Sequence, residues 1–344
     1  MRQPAAAAPC FSVVLPTYQR PRTLGQVLAG LAAQEWPPEQ MEVLVVSDGG
    51  GDGSAELVRG FASSFPLRRL EQVNRGPAAA RNLGIGSARG RLVLFLDDDV
   101  VPSPRLLAEH ARSHAEAANR VVIGTRLEPA GPLRPWVRWE CRTLAEQYEA
   151  MAAGRWSPTP YQFYTGNASV GIEHLRRAGG FDVSWRRAED LELGFRLQRL
   201  GLQFVFNPAA AATHVADRSY RSWLDAAFQY GRNEVLFGKA EERAAAEFPH
   251  RHPLTRALVR AGLRRPALAR RLPPLAQPAI RAADRCRLGG LALALCGATF
   301  NLQYWLGVAE GLGSAAAALQ LCEGPGLLSR ARSALPIGGR AGRQ

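Results

Sequence analysis

The stretch Arg91-Leu-Val-Leu-Phe-Leu-Asp-Asp-Asp99 decides the fold. Its apolar residues do not alternate with polar ones, which predicts a strand over residues 91–96 that is covered on both faces. The three carboxylates that follow repel one another, so they need a cation to compensate them. Carboxylate oxygens suit Mg²⁺ or Mn²⁺, and such an ion would bridge the phosphates of a nucleotide. The alternative interpretation is a solvated acidic loop.

The residues before this strand alternate between strand and helix patterns. Short apolar runs predict strands, and apolar residues at helical spacing predict helices. The predicted strands are 11–15, 41–46 and 67–73, and the predicted helices are 22–33, 54–61 and 77–88. This alternation predicts a mostly parallel sheet with helices on both faces, an α/β fold. Ligands bind at the carboxyl ends of such strands, where Thr17, Tyr18, Asp48 and the three aspartates lie.

The second half of the sequence has a less regular pattern. Its predicted strands are 121–124, 165–172, 203–206 and 210–214, and its predicted helices are 133–151, 173–178, 189–200 and 219–246. We expect one large domain over residues 1–245, with a nucleotide-binding half at about 10–120 and an acceptor half at about 121–245. Residues 246–344 are expected to form a basic, helical C-terminal region.

The loop after the second predicted strand is a candidate nucleotide site. In Ser47-Asp-Gly-Gly-Gly-Asp-Gly-Ser54 the glycines allow a sharp turn and a close approach to a ligand. The Asp48 carboxylate can accept hydrogen bonds from a base or a ribose. The same turn is also typical of a purely structural loop in which Asp52 or Ser54 caps the next helix.

Other candidate residues lie on predicted helices and on the last predicted strand. Arg81 and Asn82 fall among small helical residues, so the arginine can reach a nucleotide unless it is an ordinary surface residue. Glu189 and Asp190 begin an amphipathic helix, where the dipole favours negative charge, so they are either capping residues or a general base. His214 ends an apolar run and is either structural or a ligand that completes a metal shell.

The charge of the chain is concentrated in its last quarter. Residues 1–250 carry 29 basic and 27 acidic side chains, whereas residues 251–344 carry 14 and 3. Residues 251–287 contain ten arginines but no aromatic residue, so they lack the pattern typical of nucleic-acid binding. Residues 288–309 carry no charge and are long enough to cross a bilayer. An anionic membrane surface is therefore a candidate partner.

Arginines flank both ends of this apolar segment, at residues 281–287 and 330–343. This arrangement disfavours a single span and favours a re-entrant or peripheral segment. A buried helical hairpin with an arginine-rich surface is an equally good interpretation. Five scattered cysteines without a CxxC motif indicate a reducing compartment, and residues 1–9 lack the apolar core of a signal peptide. We expect a cytoplasmic protein that can bind the inner face of the cell membrane.

Together and in this order, these motifs resemble the family 2 glycosyltransferases, which have the GT-A fold. The likeness covers about residues 10–215 and rests on six segments. These are Ser12-Val-Val-Leu-Pro-Thr-Tyr18, Val45-Val-Ser-Asp-Gly49, Ala80-Arg-Asn-Leu-Gly84, Leu94-Phe-Leu-Asp-Asp-Asp99, Gly166-Asn167 with Gly179-Gly-Phe-Asp182, and Glu189-Asp-Leu-Glu-Leu-Gly-Phe-Arg196. One departure is Ser47, because the family often has two consecutive aspartates at this point.

The resemblance implies a metal-dependent, inverting transfer of a sugar from a nucleoside-diphosphate donor to an acceptor hydroxyl. The acceptor would be a lipid, a glycan or a small molecule, and the pathway would be cell-envelope glycan, glycolipid or polysaccharide synthesis. Asp190 would be the catalytic base with Glu189 beside it, and the DxD motif would bind Mg²⁺ or Mn²⁺ through Asp99, Asp97 and His214. The implied nucleotide-sugar-binding residues are Pro16, Thr17, Tyr18, Asp48, Arg81, Asn82, Asp97, Asp98, Gly166 and Asn167.

Two other classes of protein use similar residues. A non-catalytic nucleotide-sugar-binding protein would have lost the base or the metal carboxylates, and all of these are present. A nucleotidyltransferase would need a glycine- and lysine-rich phosphate loop after the first strand, whereas residues 16–20 contain no lysine.

Overall fold

The computed structural model describes residues 10–51, 53–185, 187–215, 218–240 and 253–323. Several predictions lie outside these residues: the absence of a signal peptide in residues 1–9, helix capping by Asp52, the boundary at 245/246 and the flanking arginines at 330–343. The chain divides into two compact units, which are residues 1–132 with 140–217, and residues 133–139 with 218–344.

The first unit is built on one eight-stranded sheet. Its strands are β1 (Phe11–Thr17), β2 (Met41–Asp48), β3 (Leu67–Gln72), β4 (Leu92–Leu96), β5 (Val100–Pro102), β6 (Arg120–Leu127), β7 (Asn167–Gly171) and β8 (Gln203–His214). Their order across the sheet is β3-β2-β1-β4-β7-β6-β8-β5. The β1–β2, β1–β4, β2–β3 and β6–β8 pairs are parallel, and the β4–β7, β6–β7 and β5–β8 pairs are antiparallel. The predicted α/β fold with a mostly parallel sheet is confirmed.

Helices occupy the connections between these strands and continue through the second unit. Those that begin before residue 200 are α1 (Pro21–Ala32), α2 (Ser54–Gly60), α3 (Pro77–Ser87), α4 (Leu106–Glu116), α5 (Pro135–Ala152), α6 (Ile172–Arg177) and α7 (Glu189–Arg199). The later ones are α8 (Tyr220–Ala240), α9 (Pro253–Arg264), α10 (Pro266–Ala269), α11 (Leu272–Leu275), α12 (Gln277–Arg285), α13 (Gly289–Leu312) and α14 (Ala315–Glu323).

The sheet is buried on both faces, as the apolar run in β4 predicts. Val13 and Leu15 of β1 pack into one core with the apolar side of α1. Val14 points to the other face and packs into a second core with residues of α3 and α7. A sheet covered on both sides holds its strand ends in fixed positions, so side chains at the carboxyl edge have a rigid support.

Three elements differ from the sequence prediction. The pattern gave no helix at 106–116, because the buried side of α4 includes Glu109, His110 and Ser113 as well as leucines. β5 has only three residues, too few to show a period. The two strands predicted at 203–206 and 210–214 are one strand, β8, whose register against β6 shifts at Gly124/Thr125. A bulge at this point accommodates Pro208, which a regular central strand excludes.

The buried side of α4 forms a polar network with β7. His110 Nδ1 lies 2.8 Å from Ser169 Oγ, and His114 Nε2 lies 2.8 Å from the same oxygen. Burial lowers the pKa of His110 to about 4 and that of His114 to about 3. Both imidazoles are therefore neutral near pH 7, which lets each ring nitrogen accept or donate as the network requires.

The second unit contains a close contact between α8 and α13. A Cβ atom at Gly307 would lie 2.0 Å from the carbonyl oxygen of Phe228, and one at Gly231 would lie 1.9 Å from that of Tyr304. These glycines let the two backbones touch. Residues 218–240 belong to this second unit. The sequence analysis had placed them in the large domain, residues 1–245. Within the described residues, α13 is the one helix long and apolar enough to cross a membrane, and half of its apolar window is buried.

Candidate active site

Side chains from four elements of the first unit meet at the carboxyl edge of the sheet. β1 ends at Thr17, β4 ends immediately before Asp97, α3 carries Arg81 and α7 begins at Glu189. Because β1 and β4 are parallel neighbours, their carboxyl ends lie side by side. This is the edge at which ligands bind in open α/β sheets.

Asp98 and Asp99 are buried carboxylates that share one arginine. Thr17 Oγ1 donates a hydrogen bond of 2.7 Å to Asp98 Oδ2. Arg20 Nη1 lies 3.3 Å from Asp98 Oδ1 and also pairs with Asp99 Oδ2. Burial raises the pKa of Asp98 to about 6, although the Thr17 hydrogen bond and the Arg20 charge act in the opposite direction. A second positive charge at this site would favour the ionised form.

His214 is next to Asp99, as the predicted metal shell requires. β5 pairs with β8 so that Val100 lies opposite His214, and this register brings His214 Nε2 to 3.5 Å from Asp99 Oδ1. Burial acts to raise the pKa of Asp99, but the His214 hydrogen bond and the charges of His214 and Arg20 hold it below its ordinary value. Asp99 is therefore ionised at neutral pH, which a metal ligand must be.

Arg81 joins the end of β4 to the start of α7. Its Nη2 lies 2.9 Å from Asp97 Oδ1 and its Nη1 lies 2.8 Å from Glu189 Oε1. The guanidinium also lies 5.7 Å from the centre of the Phe181 ring. Because Arg81 is buried, these contacts have little competition from water. They fix Glu189, and with it Asp190, beside Asp97, which directly follows β4.

Asp190 is a half-buried carboxylate with a pKa near neutral. Desolvation and the neighbouring Glu189 charge raise its pKa to about 7, while Arg81 opposes the shift. The backbone N–H of Leu191 donates to Asp190 Oδ1 at 2.8 Å. The preceding Ala188 has φ 62°, a left-handed conformation that costs about 1 kcal/mol in a non-glycine residue. A carboxylate with such a pKa can accept a proton at physiological pH.

Asp48 is the last residue of β2, and Tyr18 follows the end of the neighbouring strand β1. Asp48 Oδ1 accepts hydrogen bonds from Gln72 Nε2 at 2.7 Å and from the Arg75 N–H at 2.8 Å, and Oδ2 accepts one from the Gly76 N–H at 2.9 Å. Asp48 thus orders the loop that leads into α3. A Cβ atom on Gly49 would lie 3.3 Å from the half-exposed Tyr18 ring, which is open to a ligand.

Two predicted binding residues have structural hydrogen bonds in the fold. Asn82 donates to the Phe181 carbonyl and accepts from the Phe181 N–H, both at 2.7 Å. Asn167 is buried in the sheet, where its Nδ2 donates to the Thr125 and Ala210 carbonyls. Both residues therefore position the site. Asn167 is 1% exposed, and its role in a sugar pocket stays a prediction.

Arg126 is a site residue that the sequence analysis missed. Its guanidinium lies 5.0 Å from the centre of the Tyr164 ring, and it contributes to the low pKa of Asp99. Gly166 explains how Arg126 and Asp97 approach each other, since a Cβ there would lie 2.8 Å from Asp97 Oδ2 and 3.5 Å from Arg126 Nη1. The signal available in the sequence was the position of Arg126 near the end of a strand, β6, whose polar end residues are candidates for the site.

The charges of the site fit a divalent cation. When fully ionised, the carboxylates outnumber the arginines by two; they are Asp97, Asp98, Asp99, Glu189 and Asp190, against Arg20, Arg81 and Arg126. The described residues contain no group of three His, Cys, Asp or Glu side chains that could hold a metal ion. Mg²⁺ and Mn²⁺ are commonly held by one or two carboxylates plus substrate phosphates, so the pair of Asp99 and His214 fits such an ion.

The sequence also matches a known protein family. Residues 12–174 match the sequence model of the family described as Glycosyl transferase family 2. The match ends before Glu189, Asp190 and His214. Two of these residues are joined to the matched part by the contacts of Glu189 with Arg81 and of His214 with Asp99.

Characterised relatives and solved structures agree with this match. Validoxylamine A glucosyltransferase of Streptomyces hygroscopicus subsp. limoneus is 31% identical over 227 residues, which are 56% of this chain and 49% of the relative. Chondroitin synthase of Escherichia coli is 29% identical over 59% of this chain and 34% of its own length. The chain thus spans half or less of the length of these relatives. The mannosyltransferase PcManGT from Pyrobaculum calidifontis, solved with GDP-Man and Mn²⁺, has a TM-score of 0.60 and 23% identity, covering 89% of this chain and 87% of its own, which supports the fold.

Proposed function

Because this chain carries a family 2 glycosyltransferase domain, we propose that it transfers a sugar from a nucleoside diphosphate to an acceptor hydroxyl, with inversion at the anomeric carbon. The observation that carries this proposal is the Arg81 bridge between Asp97 and Glu189, which places one candidate base, Asp190, beside one candidate metal site. Through Arg81, the acidic motif of the nucleotide-binding half is thereby in contact with the start of α7 in the acceptor half.

The residues proposed to hold a divalent metal are Asp99 and His214, with Asp97 on the same edge. When bound, Mg²⁺ or Mn²⁺ would supply positive charge for the departing diphosphate. Tyr18 and Asp48 are proposed to contact the base and ribose, because the Tyr18 ring is half exposed beside the Asp48 turn. Pro16 and Thr17 are proposed to belong to the same nucleotide-binding surface. Thr17 contributes by holding Asp98 through its hydrogen bond.

Asp190 is the proposed base. The acceptor oxygen would form a bond to the anomeric carbon as the bond from that carbon to the diphosphate oxygen breaks, and the hydroxyl proton would pass to the Asp190 carboxylate. A single displacement of this kind inverts the configuration. It needs a positioned base and no covalent intermediate with the protein, and the near-neutral pKa of Asp190 supports its choice as that base. The acceptor is proposed to be a lipid, glycan or small molecule of cell-envelope synthesis.

The proposal is tested with a panel of UDP-, GDP- and dTDP-sugars, by following Mn²⁺-dependent release of the nucleoside diphosphate. We expect one donor to be turned over, and we expect Asp99→Asn to lower kcat/KM by about a hundredfold because a metal ligand is lost. Glu56→Gln is the matched control, since it neutralises an exposed carboxylate on α2. Turnover by the wild type that is equal with and without a chelator would refute the metal dependence.

We further propose that the second unit binds an anionic membrane surface. Its residues 268, 272 and 275 are exposed leucines of the short helices α10 and α11, and Leu288 and Leu291 are also exposed. Exposed arginines interrupt this apolar series, and Asp284, the one acid among residues 251–287, is paired with Arg138. Exposed leucines interleaved with arginines are typical of a surface that lies in the headgroup layer.

The membrane proposal predicts that the full chain sediments with phosphatidylglycerol vesicles but not with phosphatidylcholine vesicles. Replacing Arg271, Arg285 and Arg287 by Gln should weaken the binding about a hundredfold, since each arginine near the surface contributes about 1 kcal/mol. The control replaces Arg59, Arg112 and Arg177, three exposed arginines of the first unit, by Gln. Equal sedimentation of the two triple variants would contradict the proposal.

A further inference from the structure

Arg20 is a charged residue of the site to which none of the proposed roles applies. It precedes α1 directly and follows Gln19, whose φ of 56° is left-handed. The turn directs the Arg20 side chain back to the acidic edge, where Nη1 lies 3.3 Å from Asp98 Oδ1 and also pairs with Asp99 Oδ2. A strained turn that aims a cation at two carboxylates is an arrangement that function can explain.

Arg20 differs from Arg81 in how it is held. The Arg81 side chain is 6% exposed and is enclosed by the fold, whereas that of Arg20 is 53% exposed. Asp98 and Asp99 are almost fully buried, so Arg20 covers them from the solvent side. It can leave them by side-chain rotation, without any change in the core, and long exposed side chains rotate on a nanosecond scale.

Arg20 contacts the carboxylate that is proposed to bind the metal: it pairs with Asp99 Oδ2, while His214 Nε2 lies 3.5 Å from the other oxygen, Oδ1. A cation bound to Asp99 would lie next to the Arg20 guanidinium, and the repulsion between the two positive charges would favour the departure of Arg20. The donor then brings a diphosphate, whose oxygens match the planar fork of a guanidinium. The arginine released from the aspartates would therefore have a new anionic partner within the same site.

We propose that Arg20 is a donor-binding residue that neutralises Asp98 and Asp99 in the free enzyme and pairs with the diphosphate once the metal has taken Asp99. The inference rests on the proposed function, because it requires a metal and a nucleoside diphosphate at this edge. It makes two opposite predictions for one substitution. Removal of Arg20 strengthens the binding of the metal alone and weakens the binding of the nucleotide to the metal-loaded enzyme.

The test compares Arg20→Met with Arg22→Met, which removes an exposed arginine two residues along the chain. Calorimetry with MnCl₂ alone should show that Arg20→Met binds Mn²⁺ about fivefold more tightly than the control, as expected when a competing ion pair of about 1 kcal/mol is lost. With Mn²⁺ at saturation, UDP and GDP are titrated, and the nucleotide that binds the control should bind Arg20→Met about tenfold more weakly. Arg20→Lys should fall between them.

The possible outcomes separate the two proposals. If the wild type binds neither Mn²⁺ nor either nucleotide, the proposed function fails and the inference fails with it. If the wild type binds both, but Arg20→Met and Arg22→Met have equal affinities, only the role of Arg20 is refuted. Weaker Mn²⁺ binding by Arg20→Met would also refute it, since Arg20 would then support the carboxylates and not compete for them. Thermal unfolding of each variant checks that all of them are folded.

Discussion

Replacing Asp190 by Asn is expected to lower kcat about a thousandfold while the Kd of the Mn²⁺–nucleotide complex changes less than about twofold. The amide keeps the shape of the side chain and can still accept the 2.8 Å hydrogen bond from the Leu191 N–H. It cannot take a proton from the acceptor. The loss should therefore appear in the chemical step and not in donor binding.

The pH dependence of kcat tests the assignment of Asp190 as the base independently. The pKa of Asp190 is raised to about 7, so the fraction of ionised base grows as the pH rises through that value. The kcat of the wild type should therefore climb by about tenfold per pH unit below 7 and level off above it. The residual activity of Asp190→Asn should not show this rise of kcat with pH.

The matched control for Asp190 is Glu173→Gln, which removes an exposed carboxylate of α6 paired with Arg176. Its kcat and pH profile should equal those of the wild type. Stopped-flow or discontinuous assays with the donor identified in the panel give kcat, and calorimetry gives the nucleotide Kd. A variant that keeps more than about a tenth of the wild-type kcat would rule out Asp190 as the base.

The nucleotide-binding half of the fold was predictable from the sequence for a physical reason. Strands buried on both faces must be continuously apolar, so β1, β2 and β4 have an unmistakable pattern, and polar residues after them must lie at the carboxyl edge. α4 was not predictable by this logic. Its buried side holds polar residues that satisfy one another, such as His110 with Ser169, and no hydrophobic period marks such a face.

The position of the three aspartates at the carboxyl edge of the sheet was also predictable, whereas the arginines that face them were not. Asp97 to Asp99 are adjacent in sequence, but Arg20, Arg81 and Arg126 reach them from three different elements. Which arginine faces which carboxylate depends on the register of β1 against β4 and on the absence of a side chain at Gly166. The neighbours of Asn167 were not predictable either, because its amide donates to the Thr125 and Ala210 carbonyls of two strands that are distant in sequence.

Arg81→Met is expected to destabilise the first unit by about 3–5 kcal/mol, since it leaves the buried Glu189 carboxylate without its partner. Arg81 Nη1 contacts Glu189 Oε1 at 2.8 Å and Nη2 contacts Asp97 Oδ1 at 2.9 Å, and the guanidinium is buried. Methionine fills part of the volume but supplies no charge. The Arg81 charge also lowers the pKa of Asp190, so its removal should shift the midpoint of the kcat profile to higher pH.

Urea unfolding followed by circular dichroism measures the loss, and the double variant Arg81→Met with Glu189→Gln identifies its cause. If uncompensated charge is the reason, neutralising Glu189 should restore most of the lost stability, because Asp97 is partly exposed and can be solvated. Arg81→Lys keeps the charge but not the two-pronged contact, so it should lie between Arg81→Met and the wild type. Equal stabilities of the single and double variants would mean that Arg81 acts through its packing on Phe181, and the bridge between Asp97 and Glu189 would then not position the base.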